Sequence, residues 1–490
     1  MILRPQCVPQ MPLMAAMQGY LAEQVLPFHT PGHKSGKGAH ETLLQYLGQS
    51  TLALDLTVVP GLGDLFDKQG PIRESQKLAA ALYGADESYF LVNGTTGGIY
   101  AMILATVGPG EKIIVPRNIH RSVMGALILS GAVPVFVRPV VDTDLQIAMN
   151  ITVEAAESAM LQNPDAKAIL LVNPTYYGVV ADIANITALA HQHGMTVLVD
   201  EAHGPHFCFS HDLPIQGITA GADIVVQSTH KTLGALSQSS LLHCRRERVH
   251  VPRLETMLQL VQSSSPNYIL LASLEAAVTQ MKESGALLVN QSIDLARVAR
   301  TRINKIPGLY CFGADRVGWP GIFDFDPTKL VVTVSALGIR GNDAEIWLRR
   351  QGKVQAELSD ANNVLFLVTL ADDETSMEQL IKALTALSQE YAGEKRKPMV
   401  PFASLPEAIA PLLLSPREAV FSPQERISFV GSAGRICAET ITSYPPGIPI
   451  LFPGEQISLA AIAYCQALQR QGFSILGPED PTLNTVEVVA

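Results

Sequence analysis

Between Ser88 and Gln227 the chain repeats one pattern: a short apolar run, a polar cluster, then a helical stretch. The runs are Ser88–Val92 (SYFLV), Lys112–Val115 (KIIV), Val133–Val137 (VPVFV), Ala168–Val172 (AILLV), Met195–Val199 (MTVLV) and Asp223–Gln227 (DIVVQ). Continuous apolar runs, as opposed to alternating ones, suit strands covered on both faces. Strands separated by helices pair in parallel, so the pattern predicts an α/β fold with a mostly parallel, helix-flanked sheet. Helices are expected over Gly97–Val107, His120–Leu129 and Ile183–His193. Pro134 removes a ladder donor from the third run and places it at a sheet edge.

Four of these runs lead into polar clusters: NGTTGG (Asn93–Gly98), NPTYYG (Asn173–Gly178), DEAHG (Asp200–Gly204) and STHKT (Ser228–Thr232). In open α/β sheets ligands bind beyond the carboxyl ends of the strands, so the four clusters are expected to converge on one site.

Composition narrows the ligand. The 490 residues are 47% hydrophobic and 16% charged, with a formal charge of −10 and no long run of either sign. That disfavours a nucleic-acid backbone or an anionic membrane surface as the main partner. No signal-peptide h-region opens the chain, and no run of about 18 apolar residues is free of charges and strong breakers. Six scattered cysteines without a CxxC pair fit reduced thiols in a cytoplasmic protein better than a disulfide framework or a zinc ribbon.

Three familiar chemistries fail on the motifs themselves. DEAH belongs to helicases only together with GxxxxGK[ST], and Gly32–Gly38 (GHKSGKG) is one residue short of that loop. Gly204-Pro205 breaks the helix that a histidine-based metal site on DEAHGPH would need, so no metal is expected. No GxGxxG opens a helix, which leaves a nicotinamide dinucleotide without a cradle. One triple remains. A glycine- and threonine-rich helix start can hold a phosphate, and Asp200 at a strand end can keep a pyridinium charged. Lys231, bracketed by Ser228, Thr229, His230 and Thr232, can form a Schiff base with an aldehyde. In that order they describe a site for pyridoxal 5′-phosphate.

These residues sit within longer stretches: PFHTPGHKSGKG (Pro27–Gly38), PGLGDL…GPIRESQKLAAALYGAD (Pro60–Asp86), PRNIHRS (Pro116–Ser122), DEAHGPHF…STHKTLGALSQ and AETITSYPPGIPILFPGE (Ala438–Glu455). Together they resemble the bacterial ornithine/lysine/arginine decarboxylase family of fold-type-I pyridoxal-phosphate enzymes, in its short form without a wing domain. The resemblance implies an aspartate aminotransferase-like large domain, a small α+β domain and a C-terminal α+β domain. It also implies a homodimer or higher assembly with the active site at the dimer interface. The expected boundaries are an N-terminal arm over 1–50, the large domain over 51–298, the small domain over 299–393 and the C-terminal domain over 398–490. Glu394–Pro398 (EKRKP) is the linker candidate, and a long helix over Ile269–Ala299 is expected to cross from the large to the small domain.

By the same resemblance Lys231 is the Schiff-base lysine, Asp200 the pyridinium partner and His120 the histidine stacked on the ring. Thr95, Thr96, Ser228 and His230 match the phosphate-binding positions. His203 is the candidate for a second ring contact or for proton delivery, and the hydroxyls of Thr175 and Tyr176 for the ring's phenolic oxygen. Asp64 and Glu439 are the candidate carboxylates for a basic substrate side chain. The implied reaction is decarboxylation of lysine, arginine or ornithine to an amine used in polyamine synthesis. The residues alone leave other fold-type-I reactions, aminotransfer or lyase chemistry, and a non-catalytic homologue as alternatives.

Overall fold

The computed structural model describes residues 11–392, 409–444, 448–470 and 474–490. The proposed linker Glu394–Pro398 and Pro445–Gly447 of the tail motif lie outside them. At the centre is a seven-stranded sheet of β1 (Glu87–Leu91), β2 (Lys112–Pro116), β3 (Val133–Val137), β4 (Ala168–Val172), β5 (Thr196–Asp200), β6 (Ile224–Gln227) and β7 (Ser240–Cys244). Its order is β1-β7-β6-β5-β4-β2-β3. All pairings are parallel except the two made by β7, which runs antiparallel to both neighbours. The other six strands therefore point the same way. As Pro134 required, β3 is an edge strand.

The six apolar runs fall on six of these strands, and β7 is the one the pattern passes over. Its sequence, SLLHC, interrupts the apolar code with Ser240 and His243. In the sheet those polar groups are satisfied: the His243 ring meets Ser88 Oγ at 2.6 Å and Gln227 Oε1 at 3.2 Å, and Ser240 Oγ donates to the Gln238 carbonyl at 3.4 Å. Polar side chains paired across strands are compatible with full burial.

Five helices bear on the site: α1 (Pro12–Ala22), α2 (Gly94–Thr106), α3 (Arg121–Ser130), α4 (Thr229–Thr232) and α5 (Tyr268–Ile303). α2 packs closely on the sheet because Gly98 has no side chain. A Cβ there would lie 2.7 Å from Leu91 Cδ1 and 2.8 Å from Val226 Cγ1. Within the stretch expected as an N-terminal arm, α1 packs into the large unit's core. Leu13 and Met17 are fully buried, and the Glu275 carboxylate on α5 accepts from the amides of Leu13 (2.8 Å) and Met14 (2.7 Å). A helix start needs partners for its free N–H groups, and the remote glutamate provides them.

α5 crosses between units. Its first half packs Leu271 and Leu274 against Tyr83 and Phe90. Its last turns put Ala296, Ala299 and Ile303 into a second core built on a four-stranded antiparallel sheet. That sheet comprises β8 (Tyr310–Cys311), β9 (Lys329–Thr333), β10 (Leu358–Ser359) and β11 (Asn363–Leu367), with helix Glu374–Glu390 packed on it. The C-terminal residues form a further core around Phe429, Ile441, Leu451, Ile462 and Val488. It docks through Phe452, which stacks on Phe136 of β3 with ring centroids 4.7 Å apart. Beside that stack Arg117 forms a bidentate pair with the fully buried Glu455, with Nη2 2.9 Å from Oε2. Two motif stretches far apart in sequence, PRNIHRS and FPGE, thus close on one another.

Candidate active site

The carboxyl ends of β1, β4, β5 and β6 lie on one edge of the sheet, and the four polar clusters meet there. The cluster after β1 opens α2, so the amides of Thr95 and Thr96 lie in its first turn. Thr95 Oγ1 is 3.2 Å from Ser228 Oγ, which joins the first cluster to the fourth. The amide of Asn173 donates to the Asp200 carbonyl at 3.0 Å, joining the second to the third. Lys231 Nζ lies 2.9 Å from His203 Nε2, joining the third to the fourth. The Tyr176 ring packs against His203 at 4.5 Å between centroids, with Lys231 Nζ 5.7 Å from its centre.

Local sequence explains these placements. Ser228 is the N-cap of α4, a single turn set directly after β6, so Lys231 is held one residue from the end of a short rigid element. Asp200 ends β5 and is buried, with Oδ1 accepting from the Ala202 amide at 3.2 Å. His120 caps α3, its ring nitrogen Nδ1 accepting from the Ser122 amide at 3.3 Å.

Burial and charge tune the groups. Burial raises the Asp200 pKa, and the nearby charges of His120 and Lys231 oppose the rise. Burial lowers the Lys231 amine, with Asp200 and then Glu357 pulling the other way. The enclosed His203 is driven well below the usual histidine range, first by burial and then by repulsion from Lys231 and Lys329, so its ring is neutral near pH 7. His230 is lowered too, mainly by burial. The arrangement brings a softened amine, a buried carboxylate and a helix start suited to an anion together at one edge of the sheet.

Several expected residues have other employment. Thr175 is buried with its hydroxyl accepting from the Val179 amide at 3.1 Å, so it shapes the turn after β4, and Tyr176 is the residue that reaches Lys231 and His203. The His230 ring is tied to the Ser239 carbonyl at 3.0 Å. Asp64 closes a tight turn by accepting from the Phe66 amide at 3.0 Å. Glu439 accepts from the amides of Glu479 (2.8 Å) and Glu487, which makes it a bracket inside the C-terminal unit. Neither carboxylate touches Lys231, His203 or Asp200 among the described contacts. Both are half-buried and engaged by backbone N–H groups that a motif comparison does not see.

Two residues at the site were not foreseen. Glu357, just before β10, accepts from the Tyr176 hydroxyl at 2.6 Å and acts electrostatically on Lys231. Lys329, the first residue of β9, is buried with Nζ 2.8 Å from His203 Nδ1. The available signal was a lysine opening an apolar run, DPTKLVV, where a cation must find a buried partner or stay neutral.

Sequence profiles and known proteins give an independent measure. The profile of the Orn/Lys/Arg decarboxylase major domain matches residues 11–376, and that of the same family's C-terminal domain matches residues 402–477. An arginine decarboxylase of Halalkalibacterium halodurans is 43% identical over 482 residues, spanning 98% of either chain. One from Bacillus subtilis is 41% identical over 478 residues, covering 98% of this chain and 97% of that protein. Among solved structures, the lysine decarboxylase of Francisella novicida superposes with a TM-score of 0.86 at 21% identity, over 98% of this chain and 81% of that one. A ureidoglycine–glyoxylate aminotransferase of Bacillus subtilis shares the fold at a TM-score of 0.54 over 67% of this chain and 87% of that one, at 13% identity.

Proposed function

Because the chain belongs to the Orn/Lys/Arg decarboxylase family, we propose that it is the pyridoxal-phosphate-dependent enzyme that converts L-arginine to agmatine and carbon dioxide. Decarboxylation of a basic amino acid is the family's reaction, and relatives above 40% identity over nearly the full length are named arginine decarboxylases. The observation that carries the reading is the meeting of Lys231, His203 and Asp200 at the carboxyl edge of the sheet.

The residues fit the cofactor. Asp200 is a buried carboxylate whose pKa is raised by burial and opposed by facing charges, the environment a cationic ring nitrogen would relieve. Next to it the Asn173 side-chain amide nitrogen is buried with no hydrogen-bond partner, a vacancy in the polar accounting that a ligand group can fill. Lys231 would carry the cofactor covalently, Asp200 would pair with its ring nitrogen and His120 would cover its face. The first turn of α2 with Ser228 would hold its phosphate. When bound, the cofactor supplies an electron sink for the pair left behind as carbon dioxide departs.

The chain's own groups do the rest. Asp200 keeps negative charge fixed beneath the site, where low dielectric makes it effective. Burial lowers the Lys231 amine, the direction that favours its nucleophilic form. The neutral His203 holds a proton or a lone pair 2.9 Å from the Lys231 nitrogen. The Glu357 carboxylate, linked through Tyr176, lies on the same side as Lys231 and gives the cationic end of a substrate a partner that Asp64 and Glu439 do not.

A homodimer agrees with the exposed apolar side chains of Leu26, Phe28, Tyr46 and Leu47 on the N-terminal segment, where 91% of Phe28 is exposed. A cytoplasmic setting agrees with unpaired Cys208, Cys244, Cys311, Cys437 and Cys465. Among the described residues no helix is long and apolar enough to cross a membrane. The decisive measurement is carbon dioxide release from arginine, lysine and ornithine in parallel with reconstituted protein. Arginine is expected to be preferred; release from lysine or ornithine alone would transfer the assignment, and no release at all would refute it.

A further inference from the structure

The lysine that opens β9 is the least expected group near the site. Lys329 is 1% exposed, and its ammonium has no lone pair, so its 2.8 Å contact with His203 Nδ1 has a definite sense while it is charged. Lys329 donates, Nδ1 accepts, and the ring proton of neutral His203 must reside on Nε2. Nε2 in turn faces Lys231 Nζ at 2.9 Å. The fold takes trouble over this contact. Gly178, after β4, has a backbone φ of +87°, and a Cβ there would stand 2.7 Å from Lys329 Cγ, so only glycine leaves a passage for the lysine stem.

We propose that Lys329, His203 and Lys231 form a proton relay in which Lys329 is the reservoir that reloads the active-site lysine through the histidine ring. The step balances. A Lys329 N–H bond breaks as His203 Nδ1–H forms, and His203 Nε2–H breaks as a new N–H forms on Lys231. Lys329 ends as a neutral amine, His203 stays neutral with its proton moved to Nδ1, and Lys231 gains one proton to pass to the substrate carbon. A lone neutral histidine cannot make that donation without becoming an anion, which is why the partner on Nδ1 matters. The inference rests on Lys231 being the cofactor-bearing lysine.

The electrostatic surroundings suit a reservoir. Lys329 is pushed down to about 8, chiefly by burial; Asp326 and Glu357 pull it up and Lys231 pushes it further down. His206 stands behind Asp326, with Nε2 3.1 Å from Oδ2. A donor with a pKa near the working pH is both loaded and willing to release. Above about pH 8 the reservoir empties, so turnover should fall on the alkaline side.

The test uses cofactor-loaded wild-type enzyme, Lys329→Met and Lys329→Arg. Methionine keeps most of the volume without a proton, and arginine keeps the charge but does not release it. Both should bind cofactor, seen as the visible absorbance of the lysine-linked group, while kcat falls about 10²-fold or more, within the range of a positioned proton donor. The alkaline limb near pH 8 should vanish in both. A readout independent of turnover is the ¹⁵N signal of His203 in selectively labelled protein, assigned with His203→Gln. The wild type should show one tautomer with its proton on Nε2 below pH 8, lost in Lys329→Met. Wild-type kcat and an unchanged alkaline limb in either variant would overturn the relay, as would a wild-type His203 proton on Nδ1. Failure of the underlying reading would show separately, as wild-type protein lacking the visible band or releasing no carbon dioxide.

Discussion

Two buried polar assemblies flank the large sheet, and they are built to opposite ends. At β2, Arg117 and Glu455 satisfy one another completely. The guanidinium forks onto the carboxylate, donates to the Ile450 carbonyl at 2.8 Å and lies over Phe452 and Phe136 at 4.4 and 4.8 Å. The same carboxylate accepts from the Phe452 amide at 2.9 Å. At the carboxyl edge, Lys231, His203 and Lys329 are three nitrogen bases in a row, each lowered by burial, with Asp200, Asp326 and Glu357 pulling the two lysines back up. The first assembly lowers energy by leaving nothing unpaired, which is what fastens the C-terminal unit. The second stays poised because its protons have more than one place to go.

Substitutions separate the two. Lys231→Ala should abolish turnover and the visible cofactor band while leaving thermal unfolding nearly unchanged; a variant that still turns over would remove Lys231 from the chemistry. Asp200→Asn should cost on the order of 10²–10³ in kcat, the scale for losing one preorganised charge, read by carbon dioxide release. Glu455→Ala should act on stability, by about 3–5 kcal/mol, because it strands a buried guanidinium. Its checks are denaturant unfolding and proteolysis of the C-terminal unit, and an unfolding midpoint equal to wild type would dissolve the contrast. Gly98→Ala should cost about 1–3 kcal/mol through overpacking against Leu91 and Val226, measured the same way. Tyr176→Phe should be mildest: it removes one neutral-to-charged hydrogen bond at Glu357 and should raise KM for arginine by less than about tenfold.

Much of the site was legible in the chain because its residues follow strand ends. A strand of one polarity code that terminates in Asp200, or leads directly into Ser228–Thr232, fixes where those side chains emerge, whatever the rest of the fold does. The same logic placed β3 at the edge through Pro134 and carried α5 from one unit to the other. It failed where a residue's role depends on a partner from elsewhere. Asp64 and Glu439 read as free carboxylates until backbone amides of Phe66, Glu479 and Glu487 claim them. His243 is a polar interruption of β7 until Ser88 on β1 and Gln227 on β6 complete it from the neighbouring strands.

The sequence by itself therefore determined the parallel sheet, the order of its polar clusters and the identity of Lys231 and Asp200 as candidates, since hydrophobic period and strand ends are local properties. Only the tertiary structure decided that Lys329, 126 residues from His203 in sequence, comes within 2.8 Å of its ring, that Glu357 takes the Tyr176 hydroxyl, and that Arg117 closes on Glu455. Those are pairings between distant segments, set by how layers of the fold pack and by which buried charges must find one another, and no window of neighbouring residues encodes them.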